Sequence, residues 1–285
     1  MKIHAVEAPY DSGRFKERFG LGPSSLLKAG LVSRLRFLGH EVVINRIHVA
    51  DEFASEIKMA FAVANRVSLA VSKARAQGVL PVVLSGNCNT AVGTIAGLDP
   101  ARTGVLWFDA HGEFHTPETT QSGFLDGMGL AIATGQCWRR LAESIHNFSR
   151  VPPKNIILTG IRDVDPEEQE LLDKCGIQQI PAPEIRERGI TALLGPALQS
   201  LRRRVDSIYV HFDLDVFDSS ILNWNEWATP GGLAFGDMEG ALELLAGGPP
   251  IAALGFASFN PQIDSDRSYE AARRLLDCAL SVGGI

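Results

Sequence analysis

The chain has little of what would tie it to a nucleic acid, a membrane or a disulfide framework. Its 27 Lys and Arg residues are outnumbered by 33 Asp and Glu, a formal charge of -6 at pH 7, so the cationic surplus that neutralises phosphates is missing. Nowhere does an apolar run reach the roughly 18 residues that a membrane span requires. The opening stretch, MKIHAVEAPYDSGR, lacks the apolar core of a secretory signal. Cysteine occurs four times in 285 residues, as Cys88, Cys137, Cys175 and Cys278, with no C-x-x-C pair. A chain of this length needs no disulfide staples, and the spacing points to a reducing, cytoplasmic setting. Aromatic residues make up only 7%, but 45% of the residues are hydrophobic, which excludes a disordered, collagenous or coiled-coil chain. Size alone allows one or two domains. No composition break, repeat or low-complexity linker divides the sequence, so residues 1–285 are read as one domain.

What is present is a series of short apolar runs: IHAV from Ile3, EVVI from Glu41, PVVLS from Pro81, VLWFD from Val105, NIILTG from Asn155, SIYVHFD from Ser207 and IAALGFA from Ile251. Being continuous rather than alternating, they read as strands buried on both faces of a parallel sheet. Amphipathic segments separate them. SSLLKAGLVSRLRFLG opens after Pro23 and sets Leu27, Leu31, Leu35 and Leu38 on one helical face, and residues 56–76 form a second long helix. Further helices are expected near 167–175, 190–203, 237–245 and 268–282. Strand and helix alternating in this way imply right-handed crossovers and an α/β fold with helices on both faces of the sheet.

In such folds ligands bind outside the carboxyl ends of the strands, and four of these ends are loaded with functional groups. PVVLS runs into GNCN, VLWF into DAHGEFH, NIILTG into IRDVDPEE and SIYVHF into DLDVFD. Alternate side chains of an extended backbone share a side, so Asp109, His111 and Glu113 converge. Asp213 and Asp215 repeat the spacing, with Asp218 just beyond. So many acids packed together repel one another unless cations neutralise them. Their number argues for two divalent ions, and carboxylates with a single imidazole suit Mn²⁺ better than the thiolate and histidine cages of structural zinc. Two ions about 3.5–4 Å apart can generate a nucleophile and polarise the group it attacks. Taken singly, an acid at a strand end can equally cap a helix or sit solvated on a loop, and for Asp218 the two readings weigh the same.

The runs DAHGEFHTPETTQSG, GIRDVDPEE, FDLDVFD, ATPGGL and FNP, in that order, resemble the arginase and ureohydrolase family, and GLGPSSLLKAGL resembles its N-terminal helix. The resemblance spans nearly the whole chain. It implies a three-layer α/β/α fold with a central, mainly parallel sheet, a centre of two Mn²⁺ ions, and hydrolysis of a guanidino or amidine carbon–nitrogen bond. By position, Asp109 and Asp213 would bridge the ions, His111 and Asp215 would complete one site, and Glu113 the other. The family often forms trimers or hexamers, so a homo-oligomer is possible, and no sequence feature here fixes it.

Several positions depart from the family pattern. Cys88, in Ser85-Gly-Asn-Cys-Asn89, stands where a histidine ligand belongs, and a thiolate is a competent ligand. Being softer, it also leaves Zn²⁺ or Fe²⁺ open. Glu113 replaces an aspartate. Asp126 stands at the active-site histidine thought to shuttle protons, and Ser258 at the glutamate that pairs with the guanidinium. The amino-acid grip is retained: Asp165 matches the residue that holds the α-amino group, with Glu168 behind it, and Ser122 matches a contact to the α-carboxylate. His115 replaces an asparagine there. From sequence alone, Asp165 and the acids after it also read as a helix N-cap with first-turn charges.

A pocket with the amino-acid grip intact but without the guanidinium carboxylate suits a less basic head. The expected substrate is N-omega-hydroxy-L-arginine, cleaved to hydroxyurea and ornithine, and the chain resembles the arginase-like enzymes of that kind found in antibiotic biosynthesis. Asp126 would replace the histidine as proton shuttle if its surroundings raise its pKa, and Ser258 would hydrogen-bond the neutral guanidine. Two other readings compete: a hydrolase of another guanidino or formimino acid, and a non-catalytic relative that serves as a binding protein. His4, His40, His48, His146 and His211 have no ligand-like spacing and are read as core or surface residues. Trp224 and Trp227 are read as loop packing that could line the mouth of the site.

Overall fold

A computed structural model describes residues 1–50, 55–263 and 265–282. Its centre is a sheet of eight parallel strands. In chain order the strands are β1 (Lys2–Ala8), the short pair β2 (Tyr10–Asp11) and β3 (Arg14–Phe15), β4 (Glu41–Arg46), β5 (Leu80–Ser85), β6 (Thr103–Phe108), β7 (Ile156–Thr159), β8 (Gln178–Ile180), β9 (Ser207–Asp213) and β10 (Ile251–Ala257). The pair β2 and β3 forms a separate antiparallel ribbon, and the sheet order is β4-β1-β5-β10-β9-β6-β7-β8. All seven apolar runs of the sequence are strands of this sheet.

Strands β5, β10, β9 and β6 are neighbours at the middle of the sheet. Their register aligns Ala257 with Asp213 and Phe108 with Phe212, so the loops that leave their carboxyl ends start side by side. That is how residues distant in sequence come to share one site. Both faces of the sheet are covered. On one, Phe108, Phe212 and Phe256 stack with centroids 5.7 and 5.0 Å apart, and on the other Trp107 and Tyr209 are fully buried. Each such aromatic contributes roughly 1.5–3 kcal/mol by leaving water. Gly255 is required here, because a Cβ would lie 2.2 Å from the Tyr209 hydroxyl. Gly86 is required at the turn after β5, where a Cβ would meet Tyr10 O at 2.1 Å.

The expected helix after Pro23 is two helices, Gly22–Lys28 and Leu31–Phe37. Gly30, at φ +104°, turns the chain between them, a conformation that glycine adopts freely. Leu31 and Leu35 reach the core, but Leu38 is exposed, so the four-leucine face does not form. The helix Glu56–Ala76 is as read, and the later helices are Pro166–Cys175, Ile190–Leu201, Phe235–Glu243 and Ser265–Val282. Strand β8 and the helices Ala91–Ala96, Gly129–Thr134, Arg139–Ala142 and Ala182–Arg188 carried no pattern that the sequence reading used. Among the described residues, no helix is long and apolar enough to cross a membrane.

Candidate active site

A cleft of about 260 Å³ opens at the carboxyl ends of the central strands. Its floor is built by β6 and β9. Beyond Phe108 the chain leaves the sheet through Asp109, whose Oδ1 accepts from His111 N at 2.8 Å while Oδ2 accepts from the Trp107 indole at 2.9 Å. At the end of β9 the same device recurs: Asp213 Oδ1 accepts from Asp215 N at 2.9 Å. Asp215 in turn accepts from Ala110 N at 3.2 Å, which ties the two strand ends together. All three aspartates are buried. The glycine between His111 and Glu113 is fixed by packing, since a Cβ on Gly112 would lie 2.6 Å from Glu168 Cδ.

Two groups of donor atoms result, each within 4.8 Å: Asp109, His111 and Asp215 form one, and Cys88, Asp109 and Asp213 the other. Asp109 belongs to both. In the first, His111 Nδ1 lies 3.4 Å from Asp109 and 3.4 Å from Asp215. In the second, the Cys88 thiol donates to Asp213 Oδ2 at 2.9 Å and lies 3.9 Å from Asp109 Oδ2. Glu113, expected to complete a site, stands outside both groups. It is buried at φ +55°, and among the described residues nothing donates to its Oε2.

The electrostatics of this floor are those of a site short of positive charge. Burial, then the charge of neighbouring acids, raises the pKa of Asp109, Glu113 and Asp213. Burial and the charges of Asp213, Asp109 and Glu113 likewise push the Cys88 thiol well up. Burial alone would lower His111, but the Asp215 carboxylate and hydrogen bonds to Asp109 and Asp215 outweigh it, so the imidazole is held well above its usual value. Burial would also raise Asp215, and the charge and hydrogen bond of the neighbouring His111 reverse that shift. Buried carboxylates in this number, one with an unpartnered oxygen, fit divalent cations. The donors that would hold them are the two groups above, with Glu113 Oε2 beside them.

Behind the floor lies His211, whose spacing in the sequence suggests only a core or surface role. His211 Nε2 sits 3.0 Å from Cys88 Sγ, its Nδ1 shares a hydrogen bond of 2.7 Å with the Tyr209 hydroxyl, and its ring stacks on Trp107 at 3.7 Å. Burial lowers its pKa to about 3, so the imidazole is neutral. The signal was available: His211 precedes Asp213 by two residues on an extended strand and therefore shares its side.

Asp126 lines the cleft and is clamped by the two asparagines that flank Cys88. Asn87 Nδ2 donates to it at 2.7 Å and Asn89 N at 2.9 Å. Burial outweighs these bonds and raises its pKa to about 7. Neither asparagine was singled out in the sequence. Ser258 follows β10 with φ +63°, donates from Oγ to Asp213 Oδ2 at 2.5 Å, and lies 3.7 Å from Cys88 Sγ.

The outer cleft carries His115, Ser122, Asp165 and Glu168. His115 Nε2 is 3.2 Å from Asp165 Oδ2 and 3.7 Å from Glu168 Oε2. Asp165 also caps the helix Pro166–Cys175 by accepting from Glu168 N at 3.0 Å, and Glu168 accepts from Phe114 N at 2.7 Å. Asp165 therefore caps the helix and faces the cleft. Asp163, unread in the sequence, lines the cleft 3.9 Å from His111 Nε2. Asp218 lies outside the cleft lining and accepts from Ser220 N and Gly231 N at 2.8 and 2.6 Å, a loop tie.

The Arginase family model matches residues 1–281. The chain belongs to the arginase family. It is 30% identical over 278 residues to an arginase of Staphylococcus aureus (strain COL), covering 93% of this chain and 91% of that one. With an arginase of Bacillus caldovelox it shares 29% over 274 residues, 92% of each chain. The crystal structure of arginase from Bacillus subtilis superposes with a TM-score of 0.89 at 26% identity, covering both chains fully. The three-layer arginase-like α/β fold expected from the sequence is therefore the fold observed.

Proposed function

We propose that this arginase-family hydrolase cleaves the guanidino carbon–nitrogen bond of N-omega-hydroxy-L-arginine, with water giving ornithine and hydroxyurea, at a centre of two Mn²⁺ ions. The observation that carries the reading is Ser258, a neutral hydroxyl at the base of a cleft otherwise crowded with acids. An electron-withdrawing hydroxyl makes hydroxyguanidine less basic than the guanidinium of arginine. A cationic guanidinium that lost its carboxylate partner would forfeit about 3–5 kcal/mol, by analogy with broken buried ion pairs, whereas a neutral head can donate to the Ser258 oxygen, whose own hydrogen goes to Asp213 Oδ2.

Cys88, Asp109, His111, Asp213 and Asp215, with Glu113 beside them, would hold two divalent ions, which when bound would supply a nucleophile at neutral pH and polarise the group attacked. The chain's own residues do the rest. Asp126, with its pKa raised to about 7 by burial, can accept a proton from the nucleophilic water and return it to the leaving amine. Asn87 and Asn89 fix its orientation. Asp165, with Glu168 behind it, offers negative charge to the α-amino group, and Ser122 and His115 face the α-carboxylate. That grip favours an α-amino acid over agmatine, which lacks the carboxylate.

The test is product analysis of Mn²⁺-loaded protein given N-hydroxy-arginine, agmatine and formiminoglutamate in turn. Equimolar ornithine and hydroxyurea from the first, with little turnover of the others, is the expected result. Faster turnover of formiminoglutamate or agmatine would replace this substrate. No turnover, with well under one ion per chain, would leave a binding protein.

A further inference from the structure

Trp227 is 54% exposed at the cleft, whereas Trp107 and Trp224 are fully buried. Its backbone is nonetheless fixed from within. The Asn225 side chain, 2% exposed, uses both polar ends there: Oδ1 accepts from Trp227 N at 2.8 Å, and Nδ2 donates to Ser258 O at 3.0 Å. Asn260 N donates to Trp224 O at 3.0 Å, and its Nδ2 to Glu226 Oε2 at 3.3 Å. The segments 224–227 and 258–260 are thus laced together. Across the cleft, the Trp227 ring stacks on Phe124 at 6.4 Å and 26°. Phe124 lies between Ser122 and Asp126 in sequence, with the Arg18 guanidinium 5.7 Å from its ring centroid. The aromatic pair therefore bridges the loop that carries Ser122 and Asp126 to the loop tied to Ser258.

We propose that Phe124 and Trp227 form the apolar wall on which the methylene chain of an amino-acid substrate packs, and that Asn225 is a positioning residue coupling this wall to Ser258. The proposal rests on the reading that the cleft takes an arginine-like amino acid. Such a ligand has polar ends joined by methylenes, and most of the remaining lining is polar: Asp163, Asp165, Glu168, His111, His115 and Ser258. The exposed face of Trp227 is apolar surface that a methylene chain can remove from water. Ser258 holds a left-handed backbone that a side chain disfavours, and the Asn225 amide on its carbonyl helps to keep it there.

The experiment is titration of Mn²⁺-loaded protein with L-ornithine, followed by calorimetry and tryptophan emission, with kinetics on N-hydroxy-arginine. Ornithine should shift the wild-type emission to the blue. Trp227→Ala should abolish that shift, weaken ornithine about tenfold or more, and raise KM more than it lowers kcat. Asn225→Asp keeps the acceptor for Trp227 N but loses the donor to Ser258. It should retain the emission shift and lower kcat more than it raises KM, and Asn225→Ala should impair both. If ornithine binds by calorimetry but Trp227→Ala changes neither its affinity nor the emission, the wall is wrong and the amino-acid reading stands. If Asn225→Asp leaves kcat unchanged, the coupling to Ser258 is wrong. If ornithine does not bind the wild type at all, the amino-acid reading fails and takes the wall with it.

Discussion

The floor and the rim of the cleft are built by different means. Asp109, Asp213 and Asp215 stand at the ends of central strands, buried, each braced by backbone N–H groups of the same or the neighbouring strand end. Ser122, Asp163 and Trp227 sit on loops and are exposed. The floor gathers mutually repelling acids, and the rim carries the residues proposed to contact an amino acid. The residues read as departures from the family pattern, Cys88, Asp126 and Ser258, gather at the floor: Cys88 and Ser258 both reach Asp213, and Asp126 is held by the asparagines that flank Cys88. The contrast teaches that the acids of the floor are fixed by the sheet itself, whereas the residues proposed to grip the substrate depend on loops.

The largest effect should come from the floor. Asp109 is the donor shared by both groups, so Asp109→Asn should bring turnover to the buffer background and leave less than one ion per chain by elemental analysis. Retention of two ions would break the assignment of the floor. Next is Asp126→Asn, expected to lower kcat by about 10²–10⁴-fold, the range for a positioned acid or base. The sign of the pH effect follows from the shift. Burial raises the pKa to about 7, so below that pH the carboxyl is protonated and cannot accept a proton. Wild-type kcat/KM should therefore rise through about pH 7, and the variant should lose that limb; a limb that persists in Asp126→Asn belongs to another group.

Cys88→Ser should weaken one ion and spare the other, by about 10–100-fold if it behaves like other metal-site partners. Unchanged occupancy by calorimetric Mn²⁺ titration would return Cys88 to the role of a buried thiol. The smallest effects belong to the rim, and Asp165 sharpens the comparison because it both caps a helix and faces the cleft. Asp165→Ser retains a capping oxygen but loses the charge, so KM should rise about tenfold with no change in melting temperature. Asp165→Ala should add a loss of about 1 kcal/mol in stability. If Asp165→Ser leaves KM unchanged, Asp165 is a cap and nothing more.

The sheet was legible because its strands are continuous apolar runs, and a parallel sheet buried on both faces demands that pattern. Strand β8 escaped because Gln178–Ile180 is short, polar and at the sheet edge. The helix after Pro23 was overextended because its leucine spacing outweighed Gly30 in the reading. In the site, the D-x-H-x-E and D-x-D spacings identified the floor, and Cys88 was found from its position relative to the family. Spacing alone overreached at Glu113: its left-handed backbone breaks the extended alternation that would have carried it into the donor group. His211 was missed because it lies inside an apolar run, where a histidine reads as core. Asn87, Asn89 and Asn225 act only through contacts across the fold, which no local pattern announces.

The most direct test is the ratio of kcat/KM for N-omega-hydroxy-L-arginine to that for L-arginine, measured as ornithine released by the Mn²⁺-loaded wild-type protein. A neutral Ser258 where a carboxylate would hold a guanidinium predicts a ratio of about 10²–10⁴ in favour of the hydroxylated substrate, the fold-change that corresponds to a broken buried pair. A ratio of one or less would contradict the account.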